Sequence, residues 1–296
     1  MIVVIEPHDS QQLEEHMPNS TIVLTFDFDA LSVWFGYPNT TPAMLARGEY
    51  GARVGVPRVL DLLRIHRLPA TFFIPGHTID SFPHAVASIL EAGHEVAHHS
   101  YAHADPSSQT LDEERRDMER ALDALRRVGV QPLGYRSPSA DMSPATLELL
   151  ETYDFRYDSS LMADDFRPYR PRIGDRVSQQ EPLVPGRLAR LWELPMAFEF
   201  DDWVHFQFNF NPYRNGTSAP SKVLEIWSAE LDWMHANVDG GILTVTMHPQ
   251  VVGRGHRIAM LTQFIAHCRQ YRDLSFARLG DVVAQLGPPD AAAAPA

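Results

Sequence analysis

The sequence predicts an α/β fold in which a parallel sheet is threaded by helical crossovers. Three observations carry this. Short apolar, β-branched runs alternate with segments of helical period along most of the chain. The 296 residues, 44% of them hydrophobic, suit one large α/β barrel or two smaller domains. Asp27, Asp29, His99, Arg136 and His248 fall at the C-terminal ends of predicted strands, the rim on which barrels of this kind build their sites.

Taken in order, residues 1–20 read as a loose or edge-packed arm. Thr21–Phe26 is an apolar strand entering Asp27, and residues 35–52 form a polar loop rich in Gly, Pro and Thr. Val54–His66 has helical spacing, with Pro57 near its start. Ala70–Ile74 is the next strand, Phe82–Ala92 a helix closed by Gly93, and Glu95–Ala97 a brief strand running into a histidine cluster. Leu111–Val128 is an amphipathic helix with Leu111, Met118, Leu122 and Leu125 on one face. Thr110 and Glu113 form a capping-box signature before it and Gly129 a stop after it. Leu133–Tyr135 leads to Arg136, Pro144–Glu151 is helical, and Phe155–Tyr157 is extended. Leu191–Leu194 and Ala197–Phe200 read as strand, Pro220–Ala236 as helix, and Gly241–Met247 as a β-branched strand ending at His248. His256–Gln270 and Leu279–Leu286 are the last helices, and the tail DAAAAPA reads as disordered. Two stretches break the alternation. Asp164–Arg190 is long for a connection, the kind of segment used as a lid, a binding loop or a disordered link. The aromatic Trp203–Tyr213 is either a strand-and-turn element or the wall of a pocket.

Composition narrows the function. A net charge of −13 argues against nucleic acid and against a polybasic membrane anchor. The lone Cys268 excludes an internal disulfide. The N-terminus lacks a basic region followed by a long apolar one, and no segment approaches the ~20 apolar residues of a membrane span. These features make the cytoplasm the expected location.

The chemistry lies in two clusters. Asp27 and Asp29 are two apart on a strand and so share a face, and burying both is costly unless a cation or donors compensate. His99 and His103 are i, i+4, which places both rings on one side if that turn is helical. His98 then points elsewhere, as a packed or hydrogen-bonding side chain. Oxygen and imidazole ligands with a spare carboxylate beside them suit a hydrolytic metal site that activates water at neutral pH.

The motifs TFDFD, HSYAH, YRSP and MHPQ occur in this order with helical crossovers between them. The chain thereby resembles the polysaccharide deacetylase family, from about residue 20 to 285. The resemblance implies a distorted (β/α) barrel, seven-stranded, over residues 21–287. It implies Asp27 as general base, Asp29, His99 and His103 as metal ligands, and Arg136 as the partner that holds Asp27 ionised. It implies His248 as the general acid, hydrogen-bonded by Asp202 or its neighbour Asp201. The expected ion is Zn²⁺, with Co²⁺, Fe²⁺, Mn²⁺ and Ni²⁺ as alternatives. Trp34, Trp203 and Ser139 are candidate substrate contacts, although Trp34 serves equally well as a core residue.

The sequence departs from the usual family pattern. Phe28 separates the two acids and Ala30 stands where Gly is usual. Ser139 replaces an aromatic residue, and Asp201-Asp202 runs directly into Trp203. The stretch MHPQVVGRGHRIAML resembles an intracellular branch that includes peptidoglycan deacetylase-like proteins, cyclic imide hydrolases and metal-independent allantoinase-like enzymes. The expected activity is therefore hydrolysis of a non-peptide amide: removal of N-acetyl groups from an amino sugar or glycan, or opening of a cyclic imide or ureide. A third reading is a silent carbohydrate-binding protein on the same barrel. The expected partner is a small-molecule or sugar amide, with no nucleic acid and no membrane. A homo-oligomer is compatible with the multimers common in that branch.

Overall fold

A computed structural model describes residues 20–35, 40–210, 213–214 and 216–289. The expected arm, Ser20 apart, and the tail DAAAAPA lie outside the described residues. The chain opens with β1 (Thr21–Asp27), a 3₁₀ turn (Ser32–Trp34), α1 (Pro42–Tyr50), a π turn (Gly51–Gly55) and α2 (Val56–His66). Next come β2 (Thr71–Ile74), α3 (Gly76–Ser81), α4 (Pro83–Glu91), β3 (Glu95–His98), α5 (Leu111–Arg127), β4 (Gly134–Tyr135), α6 (Thr146–Thr152) and β5 (Tyr157–Asp158). A small hairpin, β6 (Arg172–Ile173) and β7 (Arg187–Leu188), precedes β8 (Trp192–Glu193) and α7 (Asp202–Phe206). A second hairpin pairs β9 (Asn209–Phe210) with β10 (Tyr213–Arg214). The chain closes with α8 (Pro220–Asn237), β11 (Ile242–Met247), α9 (Pro249–Val252), α10 (Gly255–Cys268), β12 (Ser275–Ala277) and α11 (Leu279–Leu286).

Seven strands run in the order β11-β1-β2-β3-β4-β5-β8, all parallel, with β12 added beside β1. The sheet curls into a distorted barrel. One parallel bridge, from Asp201 to Thr246 of β11, lies on the side of β11 away from β1.

The two-residue period of the strands decides which side chains enter the barrel. On β1, Ile22, Leu24, Phe26 and then Phe28 face outward. They pack with Val56, Val59 and Leu63 of α2, Trp227 and Leu231 of α8, and Phe264 of α10. Val23 faces inward against Phe73, Ala97, Tyr157 and Leu194, and Leu279 and Val283 of α11 plug that end. The same alternation carries Thr25 and Asp27 inward at the other end of the barrel.

Several expectations need correction. The polar loop over 35–52 is largely helical from Pro42. Pro42 occupies the first helical position and the Thr41 hydroxyl caps the Met44 N–H, so the apparent breakers are start signals. Residues 36–39 of that stretch lie outside the described residues. Val54 belongs to the π turn, and α2 begins at Val56. That turn brings Gly55 so close to the next layer that a Cβ there would lie 2.1 Å from the Pro249 carbonyl oxygen. Ala197–Phe200 is not a strand; Phe198–Phe200 is a 3₁₀ turn that delivers Asp201 to its bridge with Thr246. Leu111 is 47% exposed and lies off the buried face of α5, which is formed by Glu114, Met118, Ala121, Ala124 and Leu125. The capping box of Thr110 and Glu113 forms in full. Within Asp164–Arg190 the chain folds as the β6–β7 hairpin. It is extended by a bridge between Arg176 and Val184 and tied to α6 by Arg187 and Glu151. Among the described residues no helix is long and apolar enough to cross a membrane.

Candidate active site

Asp27 and Asp29 leave the end of β1 on its inward side and meet histidines from the loop after β3. Asp29 Oδ1 lies 3.4 Å from His99 Nε2 and 3.9 Å from His103 Nε2. One ligand atom from each of the three residues falls within a 4.8 Å cluster. The helical turn on which the i, i+4 pairing of His99 and His103 was conditional does not form. Ser100 and His103 both adopt left-handed backbone (φ 62° and 56°), and the kinks bring the rings together at 5.0 Å, edge to face. His98 alternates outward from β3. Its Nε2–H donates to the Met118 carbonyl and its Nδ1 accepts the Ser100 N–H, so both ring nitrogens are used in packing. Burial drives His98 down to about 3.

The donor set fits a divalent cation. Asp29 is fully buried and its Oδ1 has no hydrogen-bond partner. A buried carboxylate oxygen without a donor is costly, and a cation is the natural remedy. His99 Nδ1 donates to the Arg136 carbonyl at 2.8 Å, which leaves Nε2 as the lone-pair nitrogen facing Asp29. The charge states of Asp29 and His103 agree with this, whereas His99 is raised, because Asp29 and Asp27 outweigh its burial. Burial pushes the Asp29 carboxyl up, but the charges of His103, His248 and His99 outweigh it and hold the group at about 2. Burial lowers His103 to about 4, against the pull of Asp29. At neutral pH the carboxylate is therefore ionised and His103 neutral, the forms in which they ligate metals.

The second carboxylate has other company. Asp27 Oδ1 accepts from Arg136 Nη1 at 2.8 Å. The guanidinium is 1% exposed and lies 4.2 Å from the centre of the Phe73 ring. Its other hydrogen bonds go to the Ser159 carbonyl, the Ser159 hydroxyl and the Thr25 hydroxyl. Such a buried pair is worth keeping only when its other groups find partners, and here each guanidinium nitrogen has at least one. Asp27 Oδ2 points across the site to His99 Nε2 and His248 Nε2, each at 4.0 Å.

His248 follows β11 and is held from behind. Its Nδ1–H donates to Asp202 Oδ1 at 2.8 Å, and the same oxygen accepts its backbone N–H at 3.0 Å. Asp201 Oδ1 is farther from that ring, at 3.6 Å, and caps the Trp203 N–H instead. Of the two adjacent acids, then, Asp202 makes the direct bond. Burial works against a charged imidazole, yet Asp201 and Asp202 overcome it and raise His248 to about 10. Burial pushes Asp201 up to about 7.

The candidate substrate contacts divide. Trp203 packs on the His248 ring at 5.1 Å and on Trp34 at 5.6 Å. Trp34 is itself fully buried, with the Arg47 guanidinium 4.8 Å from its ring. Ser139 is exposed in a left-handed backbone (φ 60°) and stays outside the cluster. Within Trp203–Tyr213, Trp203–Phe206 belong to α7 and Asn209–Phe210 pairs with Tyr213–Arg214, with Asn209 and the Phe208 carbonyl bonded to Arg47; residues 211–212 lie outside the described residues.

Two participants escaped the sequence reading. Gln250, buried two residues past His248, donates from Nε2 to Asp29 Oδ2 at 3.2 Å. It is part of MHPQ, but nothing in that motif alone says that its amide turns back to a carboxylate on β1. Ser159 holds two edges of the Arg136 guanidinium, and a serine after a short strand carries no signal of that kind.

Comparison with known proteins identifies the family. The polysaccharide deacetylase family model matches residues 14–157. A peptidoglycan deacetylase of Helicobacter pylori is 31% identical over 270 residues, covering 86% of this chain and 92% of that protein. A solved Mycobacterium smegmatis structure assigned as a polysaccharide deacetylase is 34% identical, with a TM-score of 0.80 over 95% of this chain and 96% of that one. The allantoinase PuuE shares the fold, with a TM-score of 0.74 and 21% identity over 91% of each chain. The chain belongs to the polysaccharide deacetylase family and is a deacetylase-type hydrolase of carbon–nitrogen amide bonds.

Proposed function

We propose that the protein removes N-acetyl groups from an amino sugar or glycan, with one divalent cation, Zn²⁺ foremost, held by Asp29, His99 and His103. The observation that carries this is the buried, unpartnered Asp29 Oδ1 facing two imidazole nitrogens. A bound cation supplies Lewis acidity: it eases deprotonation of water and polarises the amide carbonyl. The remaining steps belong to the chain. Arg136 holds Asp27 turned so that Oδ2 faces the reacting centre, where it takes the proton of the attacking water. His248, protonated and held by Asp202, delivers a proton to the departing nitrogen as the tetrahedral species collapses. Trp203 keeps that imidazole in place from one side.

A specific feature supports a second reading, opening of a cyclic imide or ureide. Every candidate catalytic side chain is at most 9% exposed, and the Trp34–Trp203 pair stands beside the acid. A compact ring suits so enclosed a centre better than a long glycan. The two readings separate in one assay. The metal-loaded protein is given N-acetylglucosamine oligomers and N-acetylated peptidoglycan fragments beside phthalimide and dihydrouracil, and acetate release and ring cleavage are followed. Acetate release supports the deacetylase; cleavage of rings alone replaces it with the second reading.

A further inference from the structure

Below the catalytic layer lies an acid pair that this mechanism does not use. Asp158 and Glu193 are register partners on β5 and β8, and both are fully buried. Glu193 Oε1 accepts the backbone N–H groups of Ser160 and Leu161, at 2.9 and 3.0 Å. Asp158 Oδ1 accepts the Ser160 hydroxyl at 2.7 Å, and that hydroxyl oxygen accepts the Ser137 N–H at 2.8 Å. The other oxygens, Asp158 Oδ2 and Glu193 Oε2, have no donor. Two buried neighbouring carboxyls that both lack a donor on their second oxygen cannot both stay ionised, and one proton between them satisfies both. Their acidities agree: burial raises both, Glu193 more strongly.

The pair clamps a turn with a task. Ser159 stands between Asp158 and Ser160, and its carbonyl and hydroxyl hold the Arg136 guanidinium. Ser137, tied to the same turn through Ser160, directly follows Arg136. We infer that Asp158 and Glu193 share one proton and act together as positioning residues, seating Arg136, and through it Asp27, by holding the Ser159–Leu161 turn. This rests on the roles proposed above for Arg136 and Asp27. The competing role for such a pair, a passive filler of the barrel wall, gives no reason to tie both carboxyls to the one turn that carries Arg136.

The test has an arm that needs no turnover. Infrared difference spectra at neutral pH should show a protonated carboxyl band in the wild type that disappears in Glu193→Gln and equally in Asp158→Asn. Each amide supplies the missing donor and leaves the other acid ionised. Survival of that band in both variants overturns the shared proton. In the second arm, Glu193→Gln keeps kcat within a few-fold of wild type, whereas Glu193→Ala lowers kcat on the order of 100-fold with KM little changed, the cost of an ångström-scale misplacement. The Arg136 Nε–H resonance should shift in Glu193→Ala and stay in Glu193→Gln. If Glu193→Ala does not fold, Ser160→Ala removes the hydroxyl that links Asp158 to the Ser137 N–H and should also lower kcat and shift that resonance. Wild-type kcat in either folded truncation, with the resonance unmoved, refutes the positioning role. If the wild type hydrolyses no substrate offered, the functional reading fails, and the infrared band and the resonance still decide the pair.

Discussion

Replacing Asp27 by asparagine separates the two acids of the first motif. The amide oxygen of the new side chain can still accept from Arg136 Nη1, the bond that Asp27 makes at 2.8 Å, so the packing around the guanidinium is kept. What changes is the atom facing the reacting centre: Oδ2, 4.0 Å from His99 and from His248, becomes an amide nitrogen that takes no proton. A general base contributes about 10²- to 10⁴-fold, so kcat should fall by that factor, which corresponds to roughly 2.7–5.5 kcal/mol of barrier. Metal content should stay near wild type, because Asp29, His99 and His103 are untouched. His99→Ala is the contrasting variant, losing metal and activity together. The assay pairs kcat, followed by release of the hydrolysed group, with metal per chain after dialysis. An Asp27→Asn protein that turns over normally, or that is stripped of its ion, refutes the division of labour between the two acids.

Further outcomes follow from contacts around the site. Gln250→Ala removes the amide that donates to Asp29 Oδ2 and should weaken metal affinity about 10-fold, read by competition with a chelating dye. Gly55→Ala places a Cβ 2.1 Å from the Pro249 carbonyl oxygen, forces the π turn off α9 and should cost about 1–3 kcal/mol in chemical denaturation. Glu151 is lowered: burial opposes, but the hydrogen bonds and charges of Arg187 and Arg190 prevail. Its contribution is therefore fully present above the unfolded glutamate pKa and is lost as pH falls through the lower folded value. Because both arginines are largely solvated, Glu151→Gln should cost only about 1 kcal/mol at pH 7, and the gap from wild type should close in acid. A gap that instead widens on acidification contradicts the sign of the shift.

Much of this architecture was legible in the chain because it rests on local rules. Period-two strands and period-3.6 helices set the α/β class, and Thr110 with Glu113 marked the start of α5 by chemistry that is complete within one turn. Strand alternation likewise explains why His99 enters the barrel while His98 packs outside, and the motif order pointed to the residues that the fold gathers. The misses have a common cause. Thr41-Pro42 reads as loop chemistry and as a helix start alike, and the glycines of the π turn mean nothing until Pro249 is laid against them. The convergence of His99 and His103 depends on left-handed backbone at Ser100 and His103, which no helical periodicity encodes. Gln250 reaches Asp29 across 221 positions of sequence. Asp202 rather than Asp201 accepts the His248 Nδ1–H because the Phe198–Phe200 turn and the bridge to Thr246 fix which acid faces the ring. By itself, then, the sequence determined the strand and helix pattern, the location of the acids and imidazoles, and the class of chemistry. The motif resemblance had already set Asp27 apart from Asp29; which of Asp201 and Asp202 holds the imidazole, and that Gln250 turns back to Asp29, was decided only by tertiary structure, since those choices depend on distances between strands that the chain brings together only on closing the barrel.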